Sequence, residues 1–536
     1  MKLADEVSPE KLRGGFYSPP ALVNVCWDSA FALLDGREGL RALEPSAGDG
    51  AFVRGLAGHP QRAQVTSLDA VELLPEEAAK VEAAMTEGGV DGRVRVGSFL
   101  STAMSDLDGY DVAVGNPPFL RYQFVNDDDL FERQTLERKI GKQLGRVSNL
   151  WIAVFLSAVT RLRDGGAFSF ILPSESLTGV SAGVVRWWLS EHTSALRVEL
   201  FPPKSFPGAL QEVVVVSGRV TRGAGAGEVA VVDHVSNETH SHVVNASDKT
   251  WTGLTLHPAD VEVVRAAAAS KQVRLLGKVA RLGVSTVTGA NDFFTYSDEV
   301  RRSYELAAWS RPLLSRTRHA PGLTVTVDDW RAASEAGEKS WLLDVSRASE
   351  NEGARGLHRY LGEADAAGIP LRYKTRIRSP WYQVPIVSSK PLLLSKRSHR
   401  FPRLIANSAG LLTTDTIYQG KMLPGYDGMD RRLVSGFHNS LTLLSAEIEG
   451  RSFGGGVLEL VPSEINRLLV IDPNAVPDAL DDLDRIARER GYESEDLVHA
   501  TNAALIDGVP GLDPDLITAA EGARQRLLGR RMARAG

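Results

Sequence analysis

Between Leu40 and Val114 the chain alternates short apolar runs with helix-like stretches, and this rhythm restricts the fold more than any other property of the sequence. Leu40 to Glu44 reads as a strand, Ala51 to Gly58 as a helix, and Gln64 to Leu73 as a strand. An Ala- and Glu-rich helix follows from Pro75 to Glu87, then strands at Arg93 to Val96 and Tyr110 to Val114. Strands separated by helices need crossover connections, so the pattern predicts a parallel sheet with helices on its faces. Farther on, Asn149 to Arg163 has helical spacing and stops at Gly165-Gly166. The strand Ala167 to Leu172 and the helix Val180 to Glu191 come next. The strands Leu196 to Phe201 and Glu212 to Val216 are joined by a loop too short for a helical crossover. The last pair is therefore expected to be antiparallel, giving a mostly parallel, doubly wound α/β sheet with one reversed strand.

Ligands in open sheets of this kind bind at the C-terminal edges of the strands. Several motifs fall there. Glu44-Pro45-Ser46-Ala47-Gly48-Asp49-Gly50 follows the first strand and opens a helix, with small residues that let the backbone approach a ligand. No Gly-x-Gly-x-x-Gly and no phosphate-loop lysine is present, which argues against a dinucleotide or nucleoside-triphosphate loop. Glu72 ends the second strand, where a carboxylate can accept both hydroxyls of a ribose. Gly97-Ser98-Phe99 ends the third. Gly115-Asn116-Pro117-Pro118-Phe119 ends the fourth, and its two prolines remove backbone donors, leaving the Asn116 side chain and the carbonyls as acceptors beside an aromatic face. Such a pocket suits a planar exocyclic amino group stacked on Phe119.

With 43% hydrophobic and 24% charged residues over 536 positions, the chain has room for two to four soluble domains. No basic-then-apolar leader and no membrane-length apolar run is evident, and a cytoplasmic location is expected. Cys26 is the only cysteine, which excludes an intrachain disulfide and a cysteine-based metal cluster; no metal site is expected. The pattern loosens over Thr221 to Asp248, and the domain boundary is placed there, giving 1–235 and 236–536. The second half reads as mixed α+β with a helical tail. Net charge is −6, yet no acid interrupts the basic residues from Arg372 to Arg403, which alternate with Tyr373, Trp381, Tyr382 and Phe401. From this segment Arg376, Arg378, Lys396, Arg397, Arg400 and Arg403 are expected to meet phosphates.

Taken in order, these motifs resemble an amino-group DNA methyltransferase of the gamma class, which makes N6-methyladenine and carries its target recognition domain after the catalytic one. The matching elements are Gly15-Phe16-Tyr17-Ser18-Pro19-Pro20, Glu44 to Gly50, Glu72, Asn116 to Phe119, Asn149-Leu150-Trp151 and Phe206-Pro207-Gly208. Weaker likenesses lie at Thr288 to Asp292, at Asn407 to Gly410 with Thr414-Asp415, and at Phe453 to Gly456. The resemblance implies S-adenosylmethionine as cofactor, held by Tyr17, Ser18, Glu44, Ser46, Ala47, Gly48, Glu72, Ser98 and Asn116. It implies Asn116, Pro117, Pro118, Phe119 and Phe206 around a flipped base, and double-stranded DNA as substrate. A separate restriction endonuclease or another defence component is implied as partner. Asn at the head of the tetrapeptide favours adenine, since cytosine-N4 enzymes more commonly carry Ser. Ser98 departs from the acid usual in the family at that turn, with Asp106 or Asp108 as substitutes. The alternative is a methyltransferase acting on an amino or amide nitrogen of RNA or protein.

Overall fold

The computed structural model describes residues 17–532, except 102–103, 124–126, 146, 180, 203–204, 206–212, 224, 226, 249, 347–353 and 454. It divides into two compact units, Met1–Pro258 and Ala259–Gly536.

The first unit is organised on one nine-stranded sheet. Helix α1 (Pro20–Leu34), with Pro20 at its first turn, precedes β1 (Leu40–Glu44), α2 (Ala51–Ala57), β2 (Val65–Glu72), α3 (Pro75–Gly88), β3 (Gly92–Val96) and β4 (Tyr110–Gly115). The chain continues through α4 (Leu150–Val159), β5 (Leu162–Pro173), α5 (Gly183–His192), β6 (Thr193–Leu200), β7 (Val213–Val220), β8 (Glu228–Asp233) and β9 (Glu238–Val243). The strand order is β9-β8-β6-β7-β5-β4-β1-β2-β3. From β5 to β3 every pairing is parallel. β7 lies between β5 and β6 and runs antiparallel to both.

Two features differ from the sequence reading. The polar stretch after Thr221 carries two more strands, β8 parallel to β6 and β9 antiparallel to β8, so the sheet extends through Val243 and has a second reversed strand. Strand β9, Glu-Thr-His-Ser-His-Val, is an exposed edge strand and lacks the apolar alternation that marks a half-buried one. The second difference is β5, which begins at Leu162 and absorbs the Gly165-Gly166 stop signal.

Alternation along the central strands supplies two cores. Leu43, Val71, Ala113, Phe168 and Phe170 enter one apolar cluster with the buried helix α4, while Ala42, Leu68, Ala70, Val112 and Val114 enter another with Leu22, Val23, Trp27 and Phe31 of α1. Cys26 is buried in the second cluster, and burial pushes its thiol pKa up.

The second unit holds several small sheets. The largest has five strands, ordered Ala280–Val284, Ile417–Met422, Leu392–Ser395, Leu404–Asn407 and Thr324–Val325. Helices Asp430–Phe437, Ser440–Glu449, Leu480–Arg490, Glu495–Gly508 and Pro514–Met532 pack on it and on one another, and a separate apolar cluster forms around Phe294, Trp309, Leu342 and Tyr360. Among the described residues no helix is long and apolar enough to cross a membrane.

Candidate active site

The chain leaves β1, winds outward through β2 and β3, then returns to place β4 on the other side of β1. This reversal creates a crevice at the C-terminal ends of β1 and β4, the position where open α/β sheets take ligands. The glycine loop leaves β1 on one side of the crevice. Asn116 to Phe119 leave β4 on the other. The two loops approach closely, since a Cβ on Gly115 would lie 3.3 Å from Pro45.

Their contacts are specific. The Ser46 hydroxyl donates to the Asn116 carbonyl at 3.2 Å, and the Asn116 side-chain amide donates to the Ser18 hydroxyl at 3.2 Å. Ser18 thus joins the crevice from the turn before α1. Ala47 N–H donates to the Val71 carbonyl at 3.0 Å, while Gly48 N–H donates to Glu72 Oε2 at 2.8 Å. Glu72 Oε1 accepts from Leu74 N–H at 3.0 Å. Gly48 has φ +54, a left-handed conformation that glycine adopts at little cost and that turns its N–H toward Glu72. Pro117 is buried, and the half-buried Phe119 packs against both apolar clusters.

Glu44 is the unusual member. Its side chain is completely buried, and neither carboxylate oxygen has a hydrogen-bond partner. Burial raises its pKa well above the usual carboxylate range, and the charges of Glu72 and Asp49 push the same way. A buried polar group without a partner is costly, and such groups gather where a ligand supplies the missing bond.

Other expected residues fall farther out. Tyr17 is 55% exposed and donates to Glu77 at 3.2 Å. Ser98 is exposed, and its hydroxyl accepts from Leu100 N–H at 3.3 Å. Asp106 is clasped by both terminal nitrogens of Arg95, at 2.6 and 2.5 Å, and this pairing holds its pKa below the usual range. Its carboxylate is therefore committed to Arg95. On α4, Val154 and Phe155 belong to the core, where Phe155 meets Phe168, Phe170 and Trp188 edge-on, and neither is among the residues that the sequence singles out for the site. Phe206 lies outside the described residues.

The basic segment of the second unit looks different in space from its appearance in sequence. Arg403 is 2% exposed. Its guanidinium donates to the carbonyls of Thr317, Ala320 and Gly322 at 2.7 to 2.9 Å and stacks 3.5 Å over Tyr492. Arg403 is thus a core residue and does not belong to a phosphate-binding surface. Arg378 is half-buried and donates to the carbonyls of Thr288 and Val287. Arg397 and Lys396 meet Glu459 at 2.6 and 3.9 Å, and Arg400 meets Glu495 at 2.6 Å. The acids missing from the sequence segment are supplied by distant residues. Arg376 remains exposed, with Tyr373 and Lys374 beside it.

Sequence reasoning gave no specific role to one arrangement in this unit. Thr288 donates to the Asn291 side-chain oxygen at 2.5 Å, and Asn291 donates to Asp415 at 3.0 Å, joining two of the weaker motifs. An isolated parallel bridge between Thr286 and Thr414 joins the two chain segments nearby.

Two family models match. Residues 76–202 match the Eco57I restriction-modification methylase, and residues 248–506 match the C-terminal domain of Type II methyltransferase M.Eco57I. The chain thus carries Eco57I-type restriction-modification methylase domains. It is 20% identical over 467 residues to the Type II methyltransferase M.AccI of Acinetobacter calcoaceticus, covering 82% of each chain. It is 21% identical over 450 residues to M.XamI of Xanthomonas campestris pv. amaranthicola, covering 80% of each. A likeness of fold at TM-score 0.51 and 10% identity links it to the Type IIL restriction-modification enzyme MmeI, solved in complex with DNA; it covers 98% of this chain and 74% of that one.

Methylases of this family use S-adenosylmethionine. The crevice of this methylase fits such a cofactor: Glu44 offers two unsatisfied buried acceptors, Glu72 a second carboxylate, and Gly48 leaves space for close backbone approach.

Proposed function

We propose that this methylase acts on the N6 amino group of an adenine swung out of double-stranded DNA. The observation that carries the reading is the placement of Asn116-Pro117-Pro118-Phe119 across the crevice from the glycine loop. Adenine and cytosine both present exocyclic amino groups, and Asn at the head of the tetrapeptide favours adenine. Double-stranded DNA as substrate is supported by the Type II methyltransferases among its relatives and by the likeness to MmeI, which was solved with DNA. The target base must leave the helix because its amino group is otherwise paired inside the duplex.

In this reading Glu44, Ser46, Ala47, Gly48 and Glu72 hold S-adenosylmethionine, with Tyr17, Ser18 and Ser98 at the margin. When bound, the cofactor supplies a methyl group on a positively charged sulfur. The amino lone pair of adenine is delocalised into the ring and is a weak nucleophile. Accepting its two hydrogens at Asn116 and at the Pro117 carbonyl favours a pyramidal nitrogen with its lone pair free to attack. Ser18 and Ser46 position Asn116, Pro118 stiffens the loop, and Phe119 stacks on the base. The work is orientation and electrostatics, with no covalent enzyme intermediate. Arg376 and the exposed Arg397 and Arg400 are the phosphate contacts. Lys396 and Arg378 are only half-exposed and contribute less. A separate endonuclease or other defence component is the proposed partner that senses the unmodified site.

The test is methylation-sensitive sequencing of DNA from cells expressing the wild type or Asn116→Ala. One modified adenine motif is expected in the wild type. Loss of at least about a hundredfold in transfer is expected for the variant, with cofactor binding retained. Modification on cytosine, or wild-type modification by Asn116→Ala, would overturn the reading.

A further inference from the structure

Edge strand β9 reads Glu238-Thr239-His240-Ser241-His242-Val243, so Glu238, His240 and His242 share one face. His240 and His242 lie directly opposite Val231 and Val229 of β8, and both valines are buried. Directly opposed residues point to the same side of a sheet. Trp251 and Leu254 pack into the same apolar cluster as these valines, so the chain from 251 onward covers that side of the sheet and brings His257 to β9. The rings of His240 and His257 stand 4.9 Å apart at 75°. His240 Nε2 lies 3.3 Å from Glu238 Oε2. One ligating atom from each of Glu238, His240 and His257 falls within 4.8 Å of the other two.

We propose that Glu238, His240 and His257 form a binding site for a divalent transition-metal ion of the zinc class. Two imidazoles and a carboxylate are a donor set suited to zinc, whose bonds to nitrogen and oxygen are about 2.0–2.2 Å. Tetrahedral ligands of one ion stand about 3.4 Å apart, so the cluster, whose ligating atoms lie within 4.8 Å of one another, closes on an ion by side-chain rotation. Glu238 can make it, since its side chain is 51% exposed. His242, two residues farther along the same face and outside the cluster, has an Nε2 that is buried without a hydrogen-bond partner. A second cluster, Glu495, His499 and Glu521, shows the contrast. Its carboxylates are already neutralised by Arg400 and Arg524, so it has no charge left for a cation. The metal would clasp the last strand of the sheet to the segment that covers it. It would also screen an open edge from pairing with another chain.

The experiment uses the full-length protein without a histidine tag, stripped with EDTA and titrated with zinc chloride by calorimetry. Metal content is counted by mass spectrometry. One equivalent is expected, accompanied by a rise in melting temperature. Both are lost in His240→Ala and His257→Ala, weakened in Glu238→Gln, and unchanged in His499→Ala. Cobalt substitution of the wild type gives an independent readout that requires no variant to fold, namely visible absorption bands of nitrogen and oxygen coordination. Absence of saturable binding, or one equivalent retained when both His240 and His257 are replaced, overturns the proposal.

Discussion

The crevice at β1 and β4 and the basic segment from Arg372 to Arg403 are both dense in polar residues, but they treat that polarity in opposite ways. In the crevice, side chains converge and part of their bonding capacity is left unspent, most plainly at Glu44, whose buried carboxylate has no partner. In the basic segment, most of the charge is spent inside the protein. Arg403 caps three carbonyls, Arg378 two, and Arg397 and Arg400 face Glu459 and Glu495. The C-terminal helix repeats the second pattern, with Arg524 and Arg531 buried against Glu495, Glu521 and Glu447. At the C-terminal ends of β1 and β4 such unspent capacity suits a ligand. Charge already spent inside the protein does not.

The comparison breaks most easily at Arg403. Replacing it with Met leaves three buried carbonyls without a donor and removes the stack on Tyr492, and should cost about 3–5 kcal/mol. The salt dependence of DNA binding should stay unchanged. A denaturant melt of the full chain and a salt series of binding constants measure the two. A stable variant with a flattened salt slope would return Arg403 to the phosphate surface.

Glu44 tests the other side. Its folded pKa is raised, so the free protein keeps full stability below the ordinary carboxylate pKa and loses stability as pH rises through the folded value. Glu44→Gln removes that decline, and should leave the cofactor-free protein more stable than wild type at high pH while weakening S-adenosylmethionine binding. Melting temperatures across pH, with and without cofactor, check both. Parallel pH curves for the two proteins would mean that Glu44 already has a partner.

The central part of the fold is legible in the sequence because β1, β4 and the Ala167–Leu172 part of β5 are short apolar runs, as a strand buried on both faces has to be, while β3, Gly-Arg-Val-Arg-Val, is a more exposed edge strand placed by its position after a helix. The crevice is legible for the same reason: once the strands are placed, the residues just after them are placed too, and Glu44, Gly48, Glu72 and Asn116 follow. Strand β9 is not, because half its residues are histidine and glutamate and its register comes from pairing with β8. The fate of the arginines is not legible either. Whether Arg403 meets solvent depends on Thr317, Ala320 and Tyr492, which are far from it in sequence. Ser98 shows a third limit, since its hydroxyl ends by holding Leu100 N–H, a local contact that its sequence position does not announce.

Phe119 provides a smaller test of the crevice. Phe119→Ala removes the aromatic face and should weaken binding of a DNA carrying the target base by about 1–3 kcal/mol, the worth of one base stacked on an aromatic ring. A duplex with an abasic site at the target position has no base to stack, so wild type and variant should bind it equally. An equal loss on both DNAs would mean that Phe119 acts by packing against the two apolar clusters.

The smallest effect is expected where the basic segment does present charge to solvent. Arg376 is exposed, and Lys374 lies beside it with its ammonium 5.2 Å over the Tyr373 ring. Each phosphate contact contributes close to one unit to the slope of log binding constant against log salt, so Arg376→Ala should reduce that slope by about 0.9. The reduction should be the same for specific and non-specific DNA, because a phosphate contact carries no sequence information. Arg397→Ala should change the slope less, since the arginine must first give up Glu459. If Arg397→Ala changes it as much as Arg376→Ala, ion pairing within the protein does not hold charge back from DNA, and the contrast between the two regions reduces to burial alone.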